Sequence, residues 1–515
     1  VSPILQQRTL PFVFQSFVGG YTSIDDADPL MLPKQYLSET NNCLVENGYV
    51  RKSLGWLRMM NPDSFQGEAQ LIYLYRTTGG YNEILFLTTT NLYEYDPHEN
   101  SFTDRTPAGG LNGNTMFAPQ ILTWLDKVYI TNGVDPIIEY EADQYATFLD
   151  QNGAPASCDS IQVFASQLFA LAPTDPNGFQ GWRVVWSDFR DPHVWNAGQA
   201  GGVDLDDTAE PVMAAEIVDR WMAVAKTHTW YLVTYVGPPV WFDFRRRDAD
   251  AVLARRTLIR LPAGLGLFAL GPHDVIIFDG SNATPIGKPI RKELFRLLNR
   301  AALDSCVSHR EELGGRIYLS IATGDMKPDL SYTYSYIDGP WMRETGAVLS
   351  AVNVDYETPL LIDEMVHTVD SYNVQIRELI KGRQSRFLTT DGTGLFVAGN
   401  FPNRDNQPID AFFVTAAIAP GAQQDGTILP VTVMGILVEG NPLPGMSYVT
   451  LRASFGNADY QTFGPWQLFF SKPIQQLIPC EVSGQYFQVG IRNANLNEGF
   501  QIKQITLRYL IRGRV

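Results

Sequence analysis

The sequence predicts an all-β chain: an irregular β-propeller of six to eight blades followed by a carboxyl-terminal β-sandwich. Three observations carry this expectation. Aromatic residues make up 12% of the chain, with 23 Tyr and 28 Phe beside 43 Gly and 32 Pro, a balance that suits many short strands joined by tight turns. Groups of three or four short apolar or alternating runs, punctuated by Gly, Asp and Pro, recur between Leu71 and Val397, as in a propeller built from four-stranded sheets around an axis. Beyond the turn-rich stretch Phe401–Pro408, six alternating runs follow within about 110 residues, the pattern of a sandwich.

The first unit comprises Leu71–Tyr75, Ile84–Thr89, Asn91–Tyr95 and Ser101–Thr106, with Gly79 and Gly80 at a turn. A second holds Ile121–Trp124, Lys127–Thr131, Ile137–Tyr140 and Ala146–Leu149, broken at Leu125-Asp126, Gly133 and Asp135-Pro136. The third runs through Ile161–Ser166, Leu168–Ala172 and Arg183–Trp186, and the fourth from Met213 through Met222–Lys226 and Trp230–Tyr235 to Trp241–Phe244. Gly266–Leu270, Val275–Phe278 and Ala283–Ile286 form a fifth; Arg316–Ile321, Tyr332–Ile337 and Trp341–Arg343 form a sixth. Val348–Val354, Leu360–Ile362 and Phe387–Val397 supply a seventh blade or close the ring with strands of the amino-terminal arm. A helical stretch is expected at Tyr372–Lys381. Unit spacing wanders and no fixed dipeptide recurs, which argues against a regular WD-type repeat. The sandwich runs are Ala411–Ile418, Val431–Val438, Tyr448–Phe455, Trp466–Phe470, Tyr486–Ile491 and Gln501–Ile511. The expected division is an arm at 1–65, a propeller at 66–399 and a sandwich at 400–515.

A formal charge of -16 argues against a general nucleic-acid-binding surface, which needs a basic field to attract the phosphate backbone. Cys43, Cys158, Cys306 and Cys480 are far apart and form no CxxC pair, so reduced, packed thiols are expected. No signal sequence and no membrane span is read from the chain, which places its synthesis in a cytoplasm. His98, His193, His228, His273, His309 and His367 show no metal-ligand spacing, and neither a nucleophile elbow nor a phosphate loop occurs. Catalytic, cofactor and metal residues are therefore assigned as none.

Four weaker patterns each have an ordinary reading beside the functional one. Asp96, Asp135, Asp188, Asp279 and Asp338 could serve as paired carboxylates of a glycosidase, but most sit beside Gly or Pro, where Asp bonds its own turn. Thr389–Thr393 only approaches the Asp box of sialidase-like propellers. The loop with Asp204, Asp206, Asp207 and Glu210 lacks the Gly and Glu positions of a calcium-binding hand. In the densest basic stretch, Arg245, Arg246 and Arg247, followed by Arg255, Arg256 and Arg260, alternate with Asp243, Asp248 and Asp250. Local or intersubunit pairing at a surface loop is favoured there over contact with DNA, and Arg245, Arg246 and Arg247 are candidate interface residues.

One ordered set of short motifs spans the chain. It begins with Gly19 and Gly20, then Asp25, Asp26 and Asp28, Leu32-Pro33, Asn41 and Asn42, Gly48, Arg51 and Gly55. In mid-chain come Trp186-Ser187, Asp191-Pro192 and Trp195, then Asp279-Gly280 and the basic lead Ile286–Lys292; Gly484, Tyr486, Phe487, Ile491, Phe500, Ile505, Tyr509 and Gly513-Arg514 close it. In this order the chain resembles the tail nozzle, or tail tubular, proteins of short-tailed bacteriophages. The resemblance implies a structural virion protein without enzymatic activity. It implies a homohexamer docked on a portal adaptor ring, with tail fibres at the junction and genomic DNA passing down the lumen without specific binding. A propeller glycosidase acting on host surface glycan and a non-viral propeller scaffold are the alternatives.

Overall fold

A computed structural model describes residues 9–511, apart from residues 16, 24–34, 61, 81, 98, 313, 360–379, 400, 424–426, 442–446, 456–462 and 471–476. Among these, seven sheets follow one another around a ring. Blade 1 runs from Ala69 to Asp104, blade 2 from Gln120 to Leu149, blade 3 from Ser157 to Asp204, and blade 4 from Ala214 to Asp248. Blade 5 spans Ile259 to Pro285 and blade 6 Val307 to Thr345. In each, the first strand lies innermost and touches the first strands of the two neighbouring blades.

Blade 7 is completed from the other end of the chain. Ser350–Pro359, Ile380–Thr390 and Phe396–Gly399 pair in order, and Gly55–Arg58 then adds antiparallel to Phe396–Gly399. The ring is thus closed by a strand of the amino-terminal arm, one of the two arrangements expected from sequence. Gly55 is required by space here: a Cβ would lie 2.2 Å from the Asn403 carbonyl oxygen and 2.3 Å from that of Phe401. The run Leu360–Ile362 lies outside the described residues, as does most of the helix expected at Tyr372–Lys381, whose last two residues instead belong to a strand.

Six of the seven seams between blades have their own apolar cluster, the seam of blades 5 and 6 sharing that of the sandwich, and strand periodicity builds each. Leu85 and Leu87 face blade 2 while Ile84 and Phe86 face blade 7. Leu168 and Ala170 face blade 2 while Phe169 and Leu171 face blade 4. Successive side chains leave a strand on opposite sides, so a sheet covered on both faces reads as a continuous apolar run; Leu267–Leu270 is an example, buried throughout. At the seam of blades 4 and 5, Trp230 stacks on Phe278 with centroids 4.2 Å apart and planes 3° from parallel.

The sandwich draws its strands from both ends of the chain. In one sheet, Gln501–Ile511 is flanked on one side by Leu10–Gln15 and Tyr49–Lys52 and on the other by Val431–Asn441, which pairs in turn with Leu477–Gly484. The second sheet orders as Gly20–Tyr21, Tyr36–Asn41, Ala411–Thr415, Tyr486–Asn493, Tyr448–Ser454, Gln467–Phe470. Val433, Val482, Ile505 and Leu507 of the first meet Phe413, Val449, Leu451 and Ile491 of the second, and this core continues into the seam of blades 5 and 6 through Phe268, Ile317, Tyr332 and Trp341. The expected boundaries at 65 and 400 need correction: the arm is no separate unit, because a sheet needs edge partners and the carboxyl-terminal strands find theirs in residues 10–52.

All four cysteines are buried and free. Burial pushes the Cys306 thiol up to about 11 and those of Cys158 and Cys480 up to about 12, so little thiolate exists at neutral pH. Thiol titration is expected to find essentially none reactive in native protein and four after denaturation without reductant; fewer than four would reveal an unforeseen disulfide.

Candidate functional site

The first strands of the blades all begin on one face of the ring, and the connectors there close the axis. Arg255 and Arg256, in the connector from blade 4 to blade 5, form the centre of this closure. Arg256 donates to the Ala118 carbonyl (2.6 Å), the Gln120 Oε1 (2.8 Å) and the Asp159 carbonyl (2.6 Å), while its own carbonyl accepts from Ser308 N at 3.1 Å. One residue therefore ties blades 2, 3 and 6 to the connector of blade 5. Arg255 donates to Asp304 Oδ1 at 2.6 Å and to the Asp159 carboxylate. Both guanidinium groups lie over Phe117, 5.3 and 5.2 Å from its ring centre.

The two arginines and Asp159 are largely buried, while Asp304 reaches solvent at the edge of the cluster. Arg256 is 9% exposed; burial first, and the Arg255 charge second, pull it down to about 9, still protonated at neutral pH. Burial raises Asp159 despite its Arg255 partner. For Arg255 the two carboxylates outweigh burial and hold the guanidinium above its ordinary range. The surface loop expected to carry Arg255 and Arg256 is thus corrected to a buried axial plug. Sequence shows a basic run but not its environment; the signal it does contain is that Arg255-Arg256 is preceded by apolar Val252–Ala254 and followed, after Thr257, by apolar Leu258 and Ile259.

Beside the plug lies a cavity of about 400 Å³, lined by residues of blades 1, 6 and 7 that include Glu68, Gln70, Val307, Lys327, Leu349 and Asp391. Lys327 pairs with Glu68 across its mouth. Gln70 donates to the Asn114 carbonyl at 2.6 Å, and its Oε1 is buried without a hydrogen-bond partner. Nearby, His309 of the blade 6 inner strand bonds the Leu349 carbonyl through Nε2, which must carry the proton because a carbonyl only accepts. Burial pulls His309 down to about 4. Since the unfolded imidazole takes up a proton near 6.5 and the folded one resists until about 4, stability falls as pH drops through that window. Acid titration of the denaturation midpoint should show a loss of about 1–3 kcal/mol from this group, absent in His309→Gln; identical profiles would refute the assignment.

The signature residues do not converge on one site. Gly20, Asn41 and Asn42 meet at the joint between sandwich and blade 6. Gly20 has φ 63, and a Cβ there would lie 2.5 Å from Pro340 Cβ. Asn42 donates through its backbone to Arg343 O (3.0 Å) and through Nδ2 to Asp410 O (2.9 Å), and its Oδ1 accepts from Thr345 N (2.9 Å). Asn41 Oδ1 accepts from Thr345 Oγ1 at 2.8 Å. Gly19 packs on the Tyr36 ring and Arg51 pairs with Glu46 at 2.7 Å. In blade 3, Trp186 donates to Gln199 O (2.9 Å), Ser187 Oγ accepts from Leu168 N (3.0 Å), and Trp195 donates to Pro192 O (2.8 Å). Asp279 closes a turn onto Ser281 N and Asn282 N, both 2.7 Å, and Gly280 has φ 96 beside Trp221. Asp25, Asp26, Asp28, Leu32-Pro33 and Gly513-Arg514 lie outside the described residues.

Arg245, Arg246 and Arg247 lie exposed on the outermost strand of blade 4, Trp241–Asp248. Arg245 pairs with Asp243 at 2.8 Å, and Arg246 with Asp248 at 2.7 Å and Asp207 at 3.0 Å, whereas Asp250 pairs with His273. The acidic loop is dispersed among partners: Asp204 lies 3.8 Å from Arg183, Asp207 accepts from Tyr231 and Arg246, and Glu210 pairs with His228. The five aspartates weighed for glycoside chemistry sit in five different blades. Asp135 accepts from Asn112 and Asn132, Asp188 from Phe189 N and Gln199 N, and Asp391 of the near Asp box from Thr393.

No family model and no curated protein matches this chain. Solved structures similar to it include the computationally designed Ika8 protein (9% identity, TM-score 0.37, covering 66% of this chain and 99% of that one). The WD40 domain of Neurospora crassa Pan2 matches at 11% identity and TM-score 0.34, over 69% of this chain and 96% of that one. BamB from Moraxella catarrhalis matches at 12% and 0.34, over 64% and 82%. At such identities the likeness concerns fold alone. Among the described residues, no helix is long and apolar enough to cross a membrane.

Proposed function

We propose that this chain is a structural component of a short-tailed phage virion, forming a nozzle ring of identical copies that extends the portal channel. The observation that carries the reading is the order of the signature motifs along the chain. Two structural features support it. Gly20, Asn41 and Asn42 belong to one joint that sets the sandwich against blade 6, so part of the signature has a shared mechanical role. The propeller axis is plugged by Arg255 and Arg256, so a conduit for DNA has to be formed between copies. A net charge of -16 suits a wall that releases DNA instead of holding it. Electron microscopy of adaptor-bearing particles mixed with the purified protein tests the reading: a six-fold collar is expected, and particles that never gain density would overturn it.

Exposed ion pairs contribute little to folding, so Arg245, Arg246 and Arg247 can be replaced together by Ser without loss of the fold. Collar formation is expected to fall while the melting temperature and the weak retention of duplex DNA stay unchanged. Normal collars with loss of DNA retention would assign the strand to nucleic acid.

A further inference from the structure

Blades 4 and 5 bring together two histidines and two carboxylates that lie far apart in sequence. His228 sits in the turn between Trp221–Ala225 and Thr229–Gly237, and His273 in the turn between Leu267–Leu270 and Val275–Phe278. Asp250 follows the last strand of blade 4, and Glu210 lies in the connector that leads into that blade. All four are on the face that carries the axial plug. One ligand atom each from His228, Asp250 and His273 lie within 4.8 Å of one another.

The loops that present them are fixed. Trp230, stacked on Phe278 beneath the seam, donates from Nε1 to the Asp250 carbonyl at 3.1 Å. Ala251 N donates to Thr227 O at 3.0 Å, tying the connector to the His228 turn, and Gly271 N donates to Asp274 O at 2.9 Å across the His273 turn. Glu210 spends both oxygens on His228: Oε2 accepts from its backbone N at 3.1 Å and Oε1 lies 2.5 Å from Nδ1. A carboxylate on Nδ1–H leaves Nε2 with a free lone pair, the arrangement by which outer carboxylates orient metal-binding imidazoles. His273 Nδ1 and Asp250 Oδ2 are 2.9 Å apart, near the separation of about 3.3 Å between neighbouring donors around tetrahedral zinc.

We propose that His228, His273 and Asp250 bind a divalent transition metal ion of the zinc class, with Glu210 as the positioning residue. Two imidazole nitrogens and one carboxylate oxygen are donors that zinc accepts, and three protein ligands leave a fourth position open. Both rings are well exposed, at 48% for His228 and 70% for His273, so water or a donor from outside the chain fills it. The inference does not depend on the nozzle reading.

Isothermal titration of chelator-stripped full-length protein with zinc chloride tests the site. One equivalent should bind, and the melting temperature should rise with zinc. His228→Ala and His273→Ala should each weaken binding at least ten-fold, their combination should abolish it, and Glu210→Gln should weaken it by about 10–100-fold. The replaced rings are exposed, so each variant should keep the wild-type melting temperature without metal; His273→Gln, which alters the more exposed ring, serves if one does not. Absence of saturable zinc uptake in the micromolar range, or uptake that persists in the double variant, overturns the proposal.

Discussion

Removal of residues 1–58 is expected to leave a chain without a cooperative melting transition. Gly55–Arg58 closes blade 7, and without it Phe396–Gly399 loses its outer partner. Leu10–Gln15 pairs residue for residue with Gln504–Tyr509, and Tyr36–Asn41 with the strand that begins at Ala411, so both sandwich sheets lose strands as well. Phe14, Leu37, Cys43 and Val50, at most 1% exposed, leave the shared core. Burying one such side chain contributes about 1.5–3 kcal/mol, so these four alone account for about 6–12 kcal/mol, comparable to the about 5–15 kcal/mol by which a domain is ordinarily stable. Calorimetry and limited proteolysis of residues 59–515 provide the check. A cooperative transition within a few degrees of the full chain would falsify the closure argument. Gly55→Val is the point-mutation counterpart, since its Cβ meets two backbone carbonyls that cannot move aside cheaply.

Arg256→Ala should be the most damaging exchange of a single polar side chain. It leaves the Ala118 and Asp159 carbonyls and part of the Gln120 amide without their donor in a buried place. Breaking a buried, charge-assisted network in this way costs about 3–5 kcal/mol. Arg256→Lys should recover only a fraction, because an ammonium group cannot reproduce the planar fork that reaches three acceptors. Chemical denaturation measures both. A loss below about 1 kcal/mol for Arg256→Ala would mean that the connectors, not the arginine, hold the axis shut. Arg245→Ser, on the exposed edge of blade 4, is the matched control from the same basic stretch, and it should leave the denaturation midpoint in place.

Four-strand rhythm was legible because turns are written locally. Leu125 and Asp126, both with positive φ, Asp279 with its two backbone bonds, and Gly133 all mark turns that a reader of sequence can place. The run Gln501–Ile511 matches its strand at both ends, while Leu477–Gly484, a strand in the same sheet, was missed. Its LIPCEVSG carries a proline and a glycine, turn residues that hide a strand whose alternate residues are buried. Arg245 and Arg246 pair locally with Asp243 and Asp248, two positions away, a spacing that sequence does contain.

By itself, then, the sequence determined what depends on neighbours along the chain: all-β character, the succession of blades, and turns at Asp and Gly. Only tertiary structure decided which strand closes blade 7, which strands of the arm complete the sandwich, that Arg255 and Arg256 are buried at the axis while Arg245 and Arg246 are not, and that His228 and His273 stand side by side. Periodicity reports which faces of a strand are covered but not by what, and the covering partners here are up to about 500 residues away. Charge behaves likewise: the same residue type is solvated on an edge strand and desolvated in a connector. Its chemistry follows from burial, which is a property of the packed fold.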